Sequence, residues 1–264
     1  MTTHALLSAF KANKPAFGAW LTSSSYIHAR AVAKASPSMS WLMLDCEHGL
    51  ISLNPGAHEL ISAISSVGPN APSTLVRIPA TGTSTGVSWQ IKYALDAGAR
   101  GVLVGTVEKA REIAADSRFA PVGRRGFGSS YTHETWGTSA MDYLKNANEN
   151  IVVMVQIETK EGVENMEGII GVEGIDGIFI GPYDLSIALG YPPPSPDPHP
   201  EVEKIIQRIL QVSHKAGKKC AMFCTSGAQA AKRAQEGFDM INVTADIDAL
   251  TKGVGAAFEA ATKN

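Results

Sequence analysis

The hydrophobic pattern alternates along the whole chain between short apolar runs and longer stretches with helical spacing. Short runs rich in β-branched residues are typical of strands buried on both faces of a parallel sheet. The helical stretches between them would then be crossover connections. The pattern predicts strands at residues 17–20, 41–45, 74–78, 101–104, 152–157, 177–180, 219–223 and 240–243.

Helices are predicted at residues 27–35, 55–66, 87–97, 107–117, 161–170, 201–216, 227–235 and 247–262. In segment 201–216, apolar residues recur on one helical face, so we expect this helix to pack on the sheet. Eight strand–helix alternations favour a closed (β/α)8 TIM barrel, an α/β fold, made by a single domain of residues 1–264. No Gly-x-Gly-x-x-Gly turn follows the first strand to indicate an open doubly wound sheet instead.

Two segments interrupt this alternation. Residues 119–150 form a long connection that includes Tyr131 and Trp136, and a structureless insert of this length is typical of a lid or binding loop. Residues 191–200 contain a run of prolines, which excludes helix and favours an extended, stiff surface segment. We interpret the second as a spacer before the next helix, with a partner-docking motif as the alternative.

Composition and charge argue against several classes of protein. A formal net charge of −2 gives no basic field for nucleic acid, and no apolar run is long enough to span a membrane. Three cysteines in 264 residues do not make a disulfide framework, and Cys220 and Cys224 are better explained as core thiols than as a metal pair. The first residues lack the pattern of a secretory signal, so a cytoplasmic protein is expected.

Two acidic residues follow neighbouring strands, where parallel strands expose their carboxyl ends. The apolar run 152–157 ends at Glu158, and the next strand, 177–180, leads to Asp184. Oxygen ligands at neighbouring strand ends suit a hard divalent cation such as Mg²⁺ or Mn²⁺, whose shell is completed by water and substrate. Asp184 also begins a predicted short helix, and its alternative role is to cap that helix.

The second and third predicted strands also end in ionisable residues. Residues 45–49 read Asp-Cys-Glu-His-Gly, and His48 is the natural proton carrier there, with a merely structural hydrogen bond as its alternative. Arg77 could hold a carboxylate or a developing oxyanion through its planar guanidinium, or form an ion pair with Asp45 or Glu47.

Three further features were open to two interpretations. Gly181 and Pro182 suit a turn, yet a helix start preceded by glycine presents free N–H groups to a substrate carboxylate. Arg124 and Arg125 could bind a phosphate or carboxylate, or lie in a solvated turn. Asp96 ends a predicted helix, where an acid opposes the helix dipole, so we expect it to have a partner.

Seven short motifs together resemble those of the HpcH/HpaI aldolase family, the metal-dependent class II pyruvate aldolases. They are residues 18–21 (GAWL), 45–49 (DCEHG), 76–79 (VRIP), 95–99 (LDAGA), 123–126 (GRRG), 156–158 (QIE) and 181–186 (GPYDLS). The resemblance spans most of the chain. It implies a (β/α)8 barrel whose last helix is exchanged between subunits of a homo-oligomer, a hexamer or a trimer.

The resemblance also implies roles for individual residues. Glu158 and Asp184 match the metal ligands, for Mg²⁺ or Mn²⁺ with Co²⁺ or Zn²⁺ as further candidates. His48 matches the base, Arg77 matches the arginine that stabilises the enolate, and Asp96 matches an acid that tunes the histidine from an adjoining subunit.

Other matching residues concern the substrate. Gln156 and the backbone at Tyr183 match contacts with pyruvate, and Gly181, Pro182 and Trp20 are expected to line the same substrate site. We also expect Asp45 to act with the catalytic groups.

The sequence departs from the family pattern at three places. Gly105 stands where proline is usual, residues 130–133 read Ser-Tyr-Thr-His where the family often has arginine, and the turn 38–41 lacks the usual acid before Trp41. These departures affect the acceptor end of the pocket, so the aldehyde does not follow from the resemblance.

The implied reaction is reversible cleavage of a 2-oxo-4-hydroxy acid to pyruvate and an aldehyde. A bound cation would polarise the 2-oxo acid, His48 would remove the 4-hydroxyl proton, and Arg77 would stabilise the enolate. The alternatives are a barrel that cleaves a coenzyme A thioester or acts on a phosphoenolpyruvate-like acid, and a barrel that lost catalysis and serves as a binding subunit.

Overall fold

The predicted barrel is confirmed in a computed structural model that describes residues 3–79, 86–105 and 109–263. Eight parallel strands pair in chain order, and the last strand pairs with the first. The strands are β1 (Ala16–Leu21), β2 (Trp41–Asp45), β3 (Ser73–Ile78), β4 (Gly101–Val104), β5 (Val152–Ile157), β6 (Gly177–Ile180), β7 (Lys219–Met222) and β8 (Met240–Ala245).

The α-helices lie before, between and after the strands. They are α1 (Ala5–Lys11), α2 (Tyr26–Ala33), α3 (His58–Ser65), α4 (Ser88–Asp96), α5 (Ala110–Ser117), α6 (Thr132–Thr135), α7 (Ala140–Asn146), α8 (Lys160–Glu164), α9 (Met166–Ile170), α10 (Pro182–Ala188), α11 (Pro200–Lys215), α12 (Gly227–Glu236) and α13 (Asp246–Thr262). A π-helical turn at Leu53–Ala57 precedes α3, and a 3₁₀ turn at Ala147–Glu149 follows α7.

The predicted helices are present, with two differences. The predicted helix 161–170 is divided into α8 and α9 at Asn165, and residues 107 and 108 of the predicted helix 107–117 lie outside the described part of the chain. The hydrophobic pattern did not predict α1, α6 or α7, since helices this short give little periodic signal.

The prediction of a structureless connection at residues 119–150 is wrong. This segment contains α6 and α7, and its Trp136 and Tyr143 are buried and meet edge to face at 4.9 Å between ring centroids. The Trp136 indole donates a hydrogen bond to the Gly98 carbonyl at 2.9 Å. Aromatic packing against the barrel therefore orders most of the connection, while Tyr131 stays exposed. Residues 191–199, by contrast, contain no helix, as predicted, and the following helix begins at Pro200, one residue before the predicted start.

Side chains alternate between the barrel interior and the layer between sheet and helices. Met43, Leu75, Met154 and Phe179 belong to the interior cluster. Three polar residues lie two positions after Met43, Leu75 and Met154, and they therefore also point into the barrel, at the carboxyl ends of the strands. They are Asp45, Arg77 and Gln156. The free thiols of Cys220 and Cys224 lie in the outer core, and burial raises the pKa of Cys224 to about 12.

The opposite end of the barrel is closed by α1, which places Leu6 and Phe10 in the interior cluster. The buried His4 ring accepts a hydrogen bond at Nδ1 from the Leu7 amide, so its proton must lie on Nε2, which faces the Arg100 carbonyl at 3.2 Å. The Ser73 hydroxyl also lies 2.8 Å from Nδ1. Burial, aided by the charge of Arg100, lowers the pKa of His4 to about 3.

This buried neutral histidine should make stability depend on pH. The unfolded chain binds a proton at His4 below about pH 6.5, whereas the folded chain does not until about pH 3, so stability falls as pH falls through that window. The free energy of unfolding of the wild type, relative to a His4→Gln variant, should fall by about 1.4 kcal/mol per pH unit below pH 6. Urea unfolding of both proteins at pH 7.5 and 5.5 measures this difference, and parallel pH dependence of the two would contradict it.

The last helix, α13, carries an unusual surface. Four large apolar side chains lie on one face of this helix and are exposed. They are Ile247 (45% exposed), Leu250 (55%), Val254 (49%) and Phe258 (70%). Such a continuous apolar stripe is typical of a surface that another protein chain covers. Among the described residues, no helix combines the length and apolar character needed to cross a membrane.

Candidate active site

Asp45 and Arg77 form the floor of the site at the ends of β2 and β3, where they are paired in register. Arg77 Nε donates to Asp45 Oδ1 at 2.9 Å and Nη2 donates to Oδ2 at 2.6 Å, so the ion pair is bidentate. Both residues are buried, and the guanidinium lies 4.4 Å from the Trp20 ring centroid. This fixes the guanidinium plane and leaves Nη1 facing the rest of the site.

The loop after β2 is folded around the same carboxylate. The backbone amides of Glu47 and His48 both donate to Asp45 Oδ1 at 3.1 Å. Glu47 Oε2 lies 3.4 Å from Arg77 Nη1 and 3.9 Å from His48 Nε2. The Glu47 side chain is 3% exposed and the His48 side chain is 63% exposed. The imidazole therefore stands at the solvent side of a buried ionic cluster, where it can exchange protons.

Glu158 faces this cluster from the end of β5. Gln156 Nε2 donates to Glu158 Oε2 at 2.5 Å, and both side chains are buried. Burial and the negative charges of Asp184 and Glu47 raise the pKa of Glu158 to about 7, although Arg77 and Gln156 favour the charged form. Carboxylates from three different strand ends thus converge closely enough to repel one another.

The loop after β6 completes this side of the site. A Cβ on Gly181 would lie 2.6 Å from Glu158 Oε2 and 2.7 Å from Gln156 Nε2, so a larger residue there would displace the ends of these two side chains. Pro182 is the first residue of α10, Asp184 lies exposed in its first turn, and the residue at the cap position is Gly181. Gly181 therefore lets the start of α10 approach the two buried side chains of β5.

The donor set suits a hard divalent cation. The carboxylates of Glu158 and Asp184 repel each other, which a bound cation would relieve, and the buried Gln156 Oε1 has no hydrogen-bond partner within the described residues. In the same part of the chain, no three His, Cys, Asp or Glu side chains are grouped so as to hold a metal ion. Two carboxylates would therefore need water and substrate oxygens to complete the shell.

Trp20 and Tyr183 lie on an aromatic wall at the β1, β6 and β7 ends. Trp20 meets Phe179 and Phe223 edge to face at 5.7 and 5.6 Å between ring centroids. Tyr183 lies 6.5 Å from Phe223 and is 39% exposed. Residues of the proline-rich segment, with Tyr183 and Phe223, line a small cavity behind this wall. Trp20 and Phe179 are themselves buried in the interior cluster, so Tyr183 is the exposed member of this wall.

Asp96 does not join the site within one chain. It lies at the end of α4, where Lys92 Nζ and Arg125 Nη2 each contact its carboxylate at 2.7 Å. The Arg125 side chain is fully buried, and Arg124 pairs with Asp116. Arg124 and Arg125 thus have structural partners, which weakens the interpretation that they bind phosphate.

Two further residues lie near the site. Glu47 is buried in the ionic cluster, and the ion pair of Arg77 with Asp45 or Glu47 that the sequence offered as an alternative is present with both acids. Gly105 lies between two carboxylates, because a Cβ there would be 3.7 Å from Glu158 Oε1 and 3.9 Å from Glu47 Oε1. The sequence indicated Gly105 only as a departure from the family pattern, because glycine has no functional group.

This chain is similar to several known proteins in sequence and in fold. A model of the HpcH/HpaI aldolase/citrate lyase family matches residues 16–252. A 2-keto-3-deoxy-L-rhamnonate aldolase of Klebsiella pneumoniae is 33% identical over 242 residues, which cover 90% of this chain and 85% of the relative. The crystal structure of an HpcH/HpaI aldolase from Desulfitobacterium hafniense superposes with a TM-score of 0.84 at 25% identity, covering 98% and 97% of the two chains. A family protein from Burkholderia cenocepacia has a TM-score of 0.83 at 29% identity, covering 98% and 99%.

Proposed function

Since this chain belongs to the HpcH/HpaI aldolase/citrate lyase family, we propose that it reversibly cleaves a 2-oxo-4-hydroxy acid to pyruvate and an aldehyde with a divalent cation. Its relatives are named aldolases, which are carbon–carbon lyases, and the chain is an enzyme of that class. A 2-keto-3-deoxy sugar acid has the required 2-oxo and 4-hydroxyl groups. We therefore propose such acids as the substrate class.

The observation that carries the proposal is the convergence of Glu158, Asp184 and Glu47 beside Arg77, expressed in the raised pKa of Glu158. We propose Glu158 and Asp184 as the ligands of Mg²⁺ or Mn²⁺, with Co²⁺ and Zn²⁺ as further candidates. Such a cation, when bound, supplies Lewis acidity toward the carboxylate and keto oxygens of the substrate.

The chain's own residues supply the remaining chemistry. His48 takes the proton of the 4-hydroxyl group as the bond between carbons 3 and 4 breaks. Arg77, held in plane by Asp45 and Trp20, offers Nη1 to the negative charge that develops on the enolate oxygen. Gln156 and the start of α10 at Gly181, Pro182 and Tyr183 contact the pyruvate half.

A pyruvate-release assay over a panel of 2-keto-3-deoxy acids tests the proposal. The purified protein with Mn²⁺ should release pyruvate from at least one member, and excess EDTA should stop the release. Cleavage of an acyl-CoA thioester without pyruvate release would support the coenzyme A alternative. Inactivity toward both substrate classes would support a non-catalytic subunit.

We extend the proposal to a cytoplasmic homo-oligomer, a hexamer or a trimer, in which α13 is exchanged between subunits. The apolar stripe of α13 supports this, as does the location of Asp96, which could reach a His48 only from another chain. A small 2-oxo acid and an aldehyde are the proposed ligands, with neither nucleic acid nor membrane as a partner.

The stripe yields a direct prediction. A Val254→Glu, Phe258→Glu variant should dissociate to smaller species, because two charges would be buried in the apolar contact. Light scattering after size exclusion measures the mass. Ala256→Glu, on the opposite face of α13, is the matched control and should keep the wild-type mass. Equal masses for all three proteins would contradict the prediction.

A further inference from the structure

Asp246, at the start of α13, has a buried carboxylate that the proposed reaction does not use. It accepts hydrogen bonds from Thr22 N (3.0 Å), Thr22 Oγ1 (2.7 Å), Ser23 N (3.2 Å), His28 Nε2 (2.9 Å) and Ile247 N (2.9 Å). Burial alone would raise its pKa, but the hydrogen bonds from Thr22, His28 and Ser23 outweigh burial and lower the pKa. An ionised carboxylate thus ties the connection after β1, helix α2 and helix α13 together.

Thr22 contacts the loop that carries His48 on its other side. The Leu50 amide donates to the Thr22 carbonyl at 2.8 Å. A Cβ on Gly49 would lie 3.1 Å from both Thr22 Cα and the Thr22 carbonyl oxygen, so the loop packs on the Thr22 backbone without clearance. The two residues that follow His48 therefore rest directly on Thr22.

Besides the contacts of Glu47 with Arg77 and His48, the backbone of the loop is held at both of its ends. Its beginning is held by Asp45, which accepts from the Glu47 and His48 amides, and its end is held by Thr22. The His48 side chain is 63% exposed, so its position depends on the loop backbone more than on packing of the ring. Displacement of Thr22 would move the imidazole.

We propose that Asp246 is a positioning residue for His48, which acts by fixing Thr22 and through it the end of the loop. The proposal rests on the proposed function, in which His48 is the base. Because Asp246 is also the first residue of α13, the same carboxylate connects the exposed last helix to the catalytic loop. The packing of α13 against another subunit would then influence the position of the His48 imidazole.

Asp246→Asn is the main test. Asparagine replaces one carboxylate oxygen by an N–H₂ donor, so the backbone amide of either Thr22 or Ser23 loses its acceptor. The kcat for pyruvate release should fall about 10-fold to 100-fold, as expected for a misplaced catalytic group, while KM and Mn²⁺ affinity stay close to those of the wild type. Amide hydrogen exchange, read on peptides covering residues 46–50, should become faster, because the Leu50–Thr22 hydrogen bond is weakened.

Three further variants separate positioning from general stability. Asp248→Asn removes the same charge two residues later, at an exposed position, and should leave both kcat and exchange unchanged. Thr22→Val removes the Oγ1 donor and should reproduce the Asp246→Asn pattern to a smaller extent, whereas Thr22→Ser keeps the donor and should restore wild-type values. If Asp246→Asn does not fold, the comparison of Thr22→Val with Thr22→Ser decides.

Two results would overturn the proposal: unchanged exchange at residues 46–50 in Asp246→Asn and Thr22→Val, or a loss of kcat that Asp248→Asn shares. If the wild type releases no pyruvate from any acid, the proposed function fails. Hydrogen exchange alone then decides whether Asp246 fixes the loop.

Discussion

The Glu158→Ala, Asp184→Ala double variant is expected to lose pyruvate release entirely, down to the background without enzyme. Both proposed oxygen ligands are removed, so no divalent cation would be held where the keto acid binds. The wild type should gain thermal stability when Mn²⁺ is added, because a ligand that binds only the folded state stabilises it, and the double variant should not. Thermal unfolding with and without Mn²⁺ measures this independently of activity.

Without metal, the double variant should have a melting temperature at least as high as that of the wild type. The raised pKa of Glu158 shows that its ionised form is disfavoured in the folded chain, so its removal relieves repulsion with Asp184 and Glu47. A Glu161→Ala, Glu164→Ala variant on α8 loses the same charge and should keep the Mn²⁺ response. Wild-type activity that persists in excess EDTA would reject the metal hypothesis.

His48→Ala is expected to lower kcat by about 10²-fold to 10⁴-fold, the usual contribution of a positioned general base. The imidazole is largely exposed and its contact with the buried Glu47 is long, at 3.9 Å, so the fold should survive its removal. Neither proposed metal ligand is touched, and the gain in thermal stability with Mn²⁺ should match that of the wild type. Steady-state pyruvate release and thermal unfolding provide the two measurements.

His214→Ala is the matched control for this change. His214 lies near the end of α11, at the opposite end of the barrel, where it contacts Asp239 at 2.8 Å. Its replacement should leave kcat unchanged. If His48→Ala retained wild-type turnover, His48 would be removed from the mechanism and another proton carrier would have to be sought among the groups around Arg77.

The local pattern of apolar residues was sufficient to predict the barrel. Strands such as 152–157 are recognisable because a parallel strand covered on both faces must be apolar throughout. Helix 201–216 is recognisable because its buried face repeats with helical spacing. The pattern did not predict the helices of connection 119–150, because the contacts that bury Trp136 and Tyr143 form only when distant segments meet. Periodicity contains no information about such contacts.

The candidate site divides in the same way. The sequence indicates four of the site residues, because each lies at or just after a strand end and parallel strands place those ends together. They are Asp45, His48, Arg77 and Glu158. The sequence offered an ion pair of Arg77 with Asp45 or Glu47 as one alternative, but it could not predict the geometry of these contacts. The bidentate contact of Arg77 with Asp45 and the close approach of Gly181 to Glu158 depend on strand register and loop conformation.

The order of the elements, the closed barrel and the edge of the sheet where the ionisable residues gather all follow from apolar periodicity along the chain. The burial of Glu47 beside Arg77, the ion pair of Asp96 with Arg125 and the contact of Asp246 with the connection after β1 do not, because they form between segments that meet only in the folded barrel. Burial and pairing of charges are set by residues far apart in the chain, and their energies exist only once the barrel has closed.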